Sequence, residues 1–295
     1  MTIGRGCGFG RPAMDRQRRT QRSRQENAAR EPKVQDRSRW TNRSDDVGRF
    51  WSVLFLLVPI LGVACFAAGP IYGYWLPEDY SQHGRHIDHL FYFILWLTGA
   101  VFIVTEVALF WFMWRYDGQK NPDPVKYIHG SHNLEVVWTI LPAAVLLFIA
   151  FYQMNAWADA RMRKPDIPPT VEVTGRQFEW RIRYPGRDGK LRTPDDIHTV
   201  NDLRVPVGEE ILIELKSMDV LHSFFLPTMR VKQDAVPGSK IPVWFRCREV
   251  GSWDLVCAEL CGWGHYKMKG RLTVMPRDQF DAWLDEMYEK QEATQ

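Results

Sequence analysis

Three stretches of this chain are too long, too apolar and too poor in charge for the surface of an ordinary soluble fold. "FWSVLFLLVPILGVACFAAGPIYGYW" (50–75) and "VVWTILPAAVLLFIAFYQMNAW" (136–157) carry no charged residue; "HLFYFILWLTGAVFIVTEVALFWFMW" (89–114) carries one acid, Glu106. A hydrocarbon core of about 30 Å asks for about 20 such residues in a helix. Pro59 and Pro142 lie inside two of the blocks, which membrane helices tolerate better than soluble ones. Several of the 13 tryptophans stand at block edges, where amphipathic rings favour the membrane–water boundary. Transmembrane helices are therefore expected over 49–75, 88–116 and 134–158. Buried core helices are the alternative for all three, and a cleaved signal peptide ending near "ACFAAG" is the alternative for the first.

Residues 1–48 are arginine-rich and nearly free of large apolar side chains, which predicts a disordered basic arm. Such an arm stays on the cytoplasmic side, so three crossings leave everything after about residue 158 outside. That makes the protein multi-pass in a bacterial-type inner (plasma) membrane, N-terminus cytoplasmic and C-terminal domain periplasmic. The net charge of +3 gives no electrostatic case for nucleic acid, and no nucleic-acid motif is present.

From about residue 165 the pattern changes. Short alternating runs such as "VEVTGRQFEWRIRY", "ILIELKSM", "IPVWFRC", "SWDLVC" and "RLTVMP" are separated by Gly- and Pro-rich turns. They predict a small β-sandwich or barrel over 165–276. "RDQFDAWLDEMYEK" then predicts an amphipathic helix within a C-terminal helix and tail, 277–295. The chain as a whole reads as membrane-anchored α+β.

Its chemistry is concentrated in "CAELCGWGHYKM" (257–268). Of five cysteines, Cys7, Cys65 and Cys247 are scattered, while Cys257 and Cys261 lie four residues apart, followed by His265 and Met268. His222, in "SMDVLHSFFLP", waits upstream at the apparent end of the strand "ILIELKSM". A disulfide is the plainest reading of the two cysteines in an oxidising compartment. Zinc would accept Cys2His2 but rarely takes methionine. Thiolate, imidazole and thioether together suit copper, and a one-copper blue site would leave one cysteine surplus. Two bridging sulfurs shared by a copper pair would use both, with one histidine for each ion. No C-x-x-C-H haem-attachment motif occurs.

C-x3-C-x3-H-x2-M with an upstream histidine resembles the binuclear copper-A motif of subunit II of cytochrome c oxidase. "LEVVWTILPA" resembles the start of that family's last membrane helix, and "VLHSFFLPTMRVKQDAVPG" its segment with the first copper histidine. The resemblance covers roughly residues 88–285 and implies a cupredoxin-like Greek-key domain. It implies that Cys257 and Cys261 bridge both coppers, that His222 and Met268 complete one, and that His265 and the Glu259 backbone carbonyl complete the other. The Glu259 side chain would share a magnesium ion with subunit I. Glu135 matches the position that marks the mouth of a proton path; a glutamate capping a helix start is the alternative. "GRQFEWRIRY" corresponds to the family's aromatic segment that receives electrons, but Phe178 replaces its usual first tryptophan, and Trp180 remains.

The function so implied is electron transfer from cytochrome c, through copper A, to the haem of subunit I, where oxygen is reduced and protons are translocated. Cytochrome c, subunit I, the other oxidase subunits and membrane lipid are the implied partners, and copper insertion implies a reductant or chaperone. A copper-A subunit of a nitric oxide reductase is the alternative, and a copper-delivery protein or purely structural subunit the non-redox one. Asp219 and the "PDD" at 194–196 are candidate docking acids for the donor.

Overall fold

The structure is a computed structural model that describes residues 38–116, 127 and 129–293, with side chains from Phe50 onward. Residues 1–37 of the expected basic arm lie outside the described residues. Helix α1 (Ser38–Ile71) begins inside that arm and runs through the first apolar block. Helices α2 (Gly84–Arg115) and α3 (His132–Tyr152) follow the other two. Among the described residues, Phe50–Ile71, Gly84–Arg115 and His132–Tyr152 are long and apolar enough to cross a membrane. Their side chains find almost no cover among the described residues, so these faces must meet lipid or another protein. The helix expected over 134–158 is interrupted at Gln153. Beyond it, Met154–Arg161 forms the short charged helix α4.

The chain divides into two compact units. Of the described residues, one unit takes those up to Phe66 and those from Ile103 through the end of α2; the other takes Ala67–Phe102 and those from Tyr127 onward, and contains the whole β-domain.

Ten strands build that domain: β1 (Val171–Arg176), β2 (Glu179–Tyr184), β3 (Ile197–Val200), β4 (Asp202–Pro206), β5 (Glu210–Ser217), β6 (His222–Leu226), β7 (Val231–Ala235), β8 (Ile241–Arg246), β9 (Gly251–Cys257) and β10 (Lys269–Met275). They form two five-stranded sheets, ordered β3-β2-β1-β5-β8 and β4-β10-β9-β6-β7. β1 with β5 and β4 with β10 are parallel pairs; the remaining pairs are antiparallel. Alternate residues face inward, so Val173, Ile182, Leu203, Ile213, Phe224, Leu255 and Leu272 are fully buried in one core. Each contributes roughly 1.5–3 kcal/mol by leaving water. Helix α5 (Arg277–Glu292) closes one side by burying Phe280 and Trp283, the indole meeting Tyr184 edge-on at 5.1 Å.

The segment between α1 and α2 is tied to the sandwich. Backbone bonds join Tyr80 to Thr228 (2.9 Å) and Arg248 (2.8 Å), and Gln82 to Arg246 (3.0 Å). The Arg230 guanidinium grips both Asp88 carboxylate oxygens, at 2.7 and 2.9 Å. On α4, the Asp159 carbonyl accepts from the Trp244 indole N–H at 3.0 Å. These bonds anchor the β-domain to the start of α2 and to α4.

A buried carboxylate holds the outer face of the first sheet. Glu172 on β1 receives Lys216 at 2.6 Å and Arg192 at 2.9 Å, with Arg183 at 3.9 Å. Burial pushes its pKa up, but these three cations outweigh burial and leave it below the usual 4.5. Because the folded value is the lower one, the contribution to stability is complete above about pH 4.5 and is lost as pH falls through the folded value. Glu172→Gln should cost roughly 1–3 kcal/mol at neutral pH, limited because the cations reach water. It should also flatten the acid limb of the stability curve, which urea titrations across pH would record.

Candidate metal centre

The site is built by a hairpin and one strand beside it. β9 ends at Cys257 and β10 starts at Lys269, and the Cys257 N–H donates to the Met268 carbonyl at 3.2 Å, closing the loop at its base. Within the loop, His265–Lys267 forms a 3-10 turn. Cys257, Cys261 and Met268 turn inward and are buried, with His265 half-buried beside them. His222 arrives through sheet register: Phe224 on β6 pairs with Cys257 on β9, and the Ala258 N–H donates to the Ser223 carbonyl at 3.0 Å. His222 therefore opens β6 and does not end β5, the position its place after "ILIELKSM" suggests; the chain turns between Ser217 and His222.

The donor atoms converge. The two sulfurs are 3.9 Å apart, with His222 Nδ1 4.0 Å from Cys257, and His265 Nδ1 3.6 Å and Met268 Sδ 3.8 Å from Cys261. The Glu259 carbonyl oxygen stands 3.3 Å from the Cys257 sulfur. Among the described residues, the donor atoms of His222, Cys257 and Cys261 lie within 4.8 Å of one another, all buried. Both cysteines are free thiols, their sulfurs far beyond the ~2.05 Å of a disulfide. Two thiolates held at ~2.3 Å by a common tetrahedral ion stand roughly 3.8 Å apart, close to the spacing seen here. A soft, buried donor set with its sulfurs already at ligand spacing fits copper.

Burial raises both thiol pKa values, and the neighbours then separate them. At Cys257 the His222 imidazole prevails and brings the pKa down to about 6. At Cys261 the adjacent Cys257 thiolate adds to burial and holds it up at about 11. One ring nitrogen of His222 is spoken for: Nε2 lies 2.8 Å from Asp219 Oδ1, while Asp219 Oδ2 accepts the Gln177 N–H at 2.8 Å. A carboxylate on Nε2 fixes the tautomer that leaves Nδ1 free as a ligand facing Cys257. Sequence reasoning had named Asp219 only as a docking acid; its place three residues before His222 was the available signal.

The other candidate residues separate into near and far. Trp180 is fully buried, edge-on to His222 (6.0 Å) and Phe224 (5.6 Å), and so packs the core beneath the site. Phe178 is half-buried and lies against the copper-type loop, its ring meeting Trp263. Glu135 stands apart, exposed in the first turn of α3 and 3.9 Å from His132. Asp196 is buried, accepting the Arg192 N–H at 2.6 Å and facing Arg183 at 3.6 Å, so it belongs to the ion network around Glu172 and not to a docking face.

Fold and site together define a membrane-anchored protein whose cupredoxin-like sandwich gathers soft donor side chains, able to hold a metal ion, at a hairpin loop. Sequence comparisons agree. The profile described as cytochrome c oxidase subunit II, transmembrane domain, matches residues 71–156, and that of the periplasmic domain matches 187–274, together more than half of the chain. An "Alternative cytochrome c oxidase subunit 2" from Bradyrhizobium diazoefficiens is 28% identical over 264 residues, covering 79% of this chain and 90% of the relative. A "Cytochrome c oxidase subunit 2" from Cereibacter sphaeroides is 29% identical over 224 residues, covering 66% and 73%. The crystal structure of the periplasmic domain of subunit II of cytochrome oxidase of Bradyrhizobium japonicum shares 29% identity and covers 43% of this chain and 97% of that one, with a TM-score of 0.38. The chain belongs to the cytochrome c oxidase subunit II family. It is thus a subunit of a haem-copper oxidase, an oxidoreductase, with a periplasmic domain on a membrane anchor.

Proposed function

We propose that this chain receives single electrons from reduced cytochrome c at a binuclear copper-A centre and passes them to the haem of subunit I, where oxygen reduction drives proton translocation. The convergence of two free thiols, two imidazoles and a thioether on one buried point carries this reading. Cys257 and Cys261 would be the thiolate ligands shared by both coppers, with His222 and Met268 contributing to one and His265 and the Glu259 carbonyl to the other. Copper held there supplies a reversible one-electron carrier whose change in charge is spread over two ions.

The chain's own residues do the rest. Asp219 orients His222, the 3-10 turn presents His265, and burial of Cys257 and Cys261 limits the access of water to the sulfurs. The Glu259 side chain is assigned to a magnesium site shared with subunit I. Glu135 is assigned to the mouth of a proton path at the cytoplasmic end of α3. Three crossings with a cytoplasmic N-terminus put residues 165–276, the copper domain, on the periplasmic side.

The full chain, reduced and supplied with copper, should turn purple, bind two coppers and give an EPR signal from one electron shared equally by both. A one-copper signal, or no uptake, would sink the reading. Met268→Leu should keep both coppers and shift the absorption spectrum and potential, since Met268 would be a weak thioether ligand that tunes more than it binds; loss of all copper would contradict that role.

A further inference from the structure

Side chains along the loop alternate in what they face. Cys257, Cys261, His265 and Met268 turn toward the sulfur cluster, while Leu260, Trp263 and Tyr266 point to solvent at 76%, 82% and 69% exposure. The exposed side chains of the loop are therefore mostly apolar or aromatic, with Lys267 the exposed charge among them. An exposed tryptophan adds nothing to the core and favours association, so its presence beside a metal cluster asks for a partner.

Trp263 is also held in place. Its ring meets Phe178 edge to face, centroids 5.3 Å apart at 68°. Phe178 fits beneath the loop only because glycines flank Trp263. A Cβ on Gly264 would fall 2.5 Å from the Phe178 ring, and one on Gly262 3.2 Å from it. Gly262 also sits at φ +137°, a conformation closed to other residues. The Gln177 side-chain amide donates to the Cys261 carbonyl and ties the same β1–β2 turn to the loop. An indole so supported loses little freedom when it is covered, which favours tight contact.

The charges nearby are mostly spent. Asp219 is engaged by His222 and the Gln177 N–H, and Glu179 by Arg181 (2.8 Å) and Arg176 (3.8 Å). The Lys267 ammonium lies 5.4 Å from the Tyr266 ring centre. The charged groups named here carry both signs and are largely engaged with their neighbours, so a partner that presents an apolar surface suits the exposed indole.

We propose that Trp263, flanked by Leu260 and Tyr266, is the residue on which the electron-donor protein docks, in place of the half-buried side chain at position 178. The donor it fits is a small redox protein whose cofactor edge emerges through an apolar patch, held by burial of the indole and not by ion pairs. This inference rests on the copper-A reading above.

The test uses the complete oxidase with oxidised mitochondrial cytochrome c as the probe, measured by calorimetric titration and by steady-state turnover with the reduced form. Trp263→Ala should raise both Kd and KM about tenfold or more, as for a central aromatic contact. Trp263→Phe should recover most of the loss, and the two-copper EPR signal should persist in both. Affinity should change little between low and physiological salt, because no charge pair carries it. A Trp263→Ala enzyme that keeps its copper signal and binds within about twofold of wild type would overturn the proposal, as would affinity that collapses with salt. A wild-type oxidase without a two-copper signal would instead strike the copper-A reading itself.

Discussion

Cys257→Ser and Cys261→Ser should each abolish the proposed two-copper centre, with the purple colour and the shared-electron EPR signal expected of it lost together. The geometry makes these the largest effects available in the chain. Each sulfur touches a different histidine: Cys257 lies 4.0 Å from His222 Nδ1 and Cys261 3.6 Å from His265 Nδ1. The sulfurs themselves stand 3.9 Å apart. Serine is nearly isosteric, so the fold survives. Its hydroxyl stays protonated at neutral pH and is a hard donor, poorly matched to a soft ion. Either variant retains one thiolate, two imidazoles and Met268, the ligand set of a one-copper site. Metal analysis should therefore fall from two coppers per chain to one or none, and EPR should show an electron confined to a single copper. A variant that still held two coppers with an undivided signal would show that the sulfurs do not bridge.

Gly175→Ala should damage the same centre without removing any ligand. A Cβ at position 175 would lie 2.9 Å from His222 Cδ2, 3.0 Å from Cγ and 3.2 Å from Cβ, closer than side chains tolerate. The imidazole has no room to retreat. It is fully buried, bonded to Asp219 at 2.8 Å and edge-on to Trp180. The strand cannot easily yield either, since Gly175 is paired with Trp180 on β2 and with Ser217 on β5. Overpacking of this kind costs roughly 1–3 kcal/mol. Because the displaced ring is a candidate ligand, copper affinity should fall about 10–100-fold, as when a ligand's orienting neighbours are changed. Gly189→Ala is the control: nothing lies within 4 Å of its Cβ, and its φ of +67° confines the cost to local backbone strain. Thermal unfolding and competitive copper titration of both variants decide the matter. Unchanged affinity in Gly175→Ala would mean that His222 is free to move.

Much of the candidate site was legible because it is local. Cys257, Cys261, His265 and Met268 occupy one loop of a tight hairpin, so their spacing along the chain already brings them close. The membrane helices were legible for a similar reason, since a run of about 20 apolar residues is a property of composition alone. The less visible strands were β3, β4, β6 and β7. They are only four or five residues long, and β7 reads "VKQDA", too polar to stand out as a strand. Asp196 looked like a surface acid within "PDD", yet it is buried against Arg183; its partner is supplied by another strand and leaves no trace in the local pattern.

By itself, then, the sequence determined that this chain has three helices able to cross a membrane, a β-rich domain after them, and a soft-donor loop at the end of that domain. All of these follow from periodicity and spacing over short distances. The tertiary structure decided where His222 goes, which nitrogen it offers, and what lies over the cluster. The pairing of β6 with β9 delivers the imidazole, Asp219 sets its tautomer, and Gly262 and Gly264 let Phe178 hold Trp263 out in solvent. Each of these depends on register and close packing between segments far apart in the chain, and no local pattern records which residues will meet across that distance.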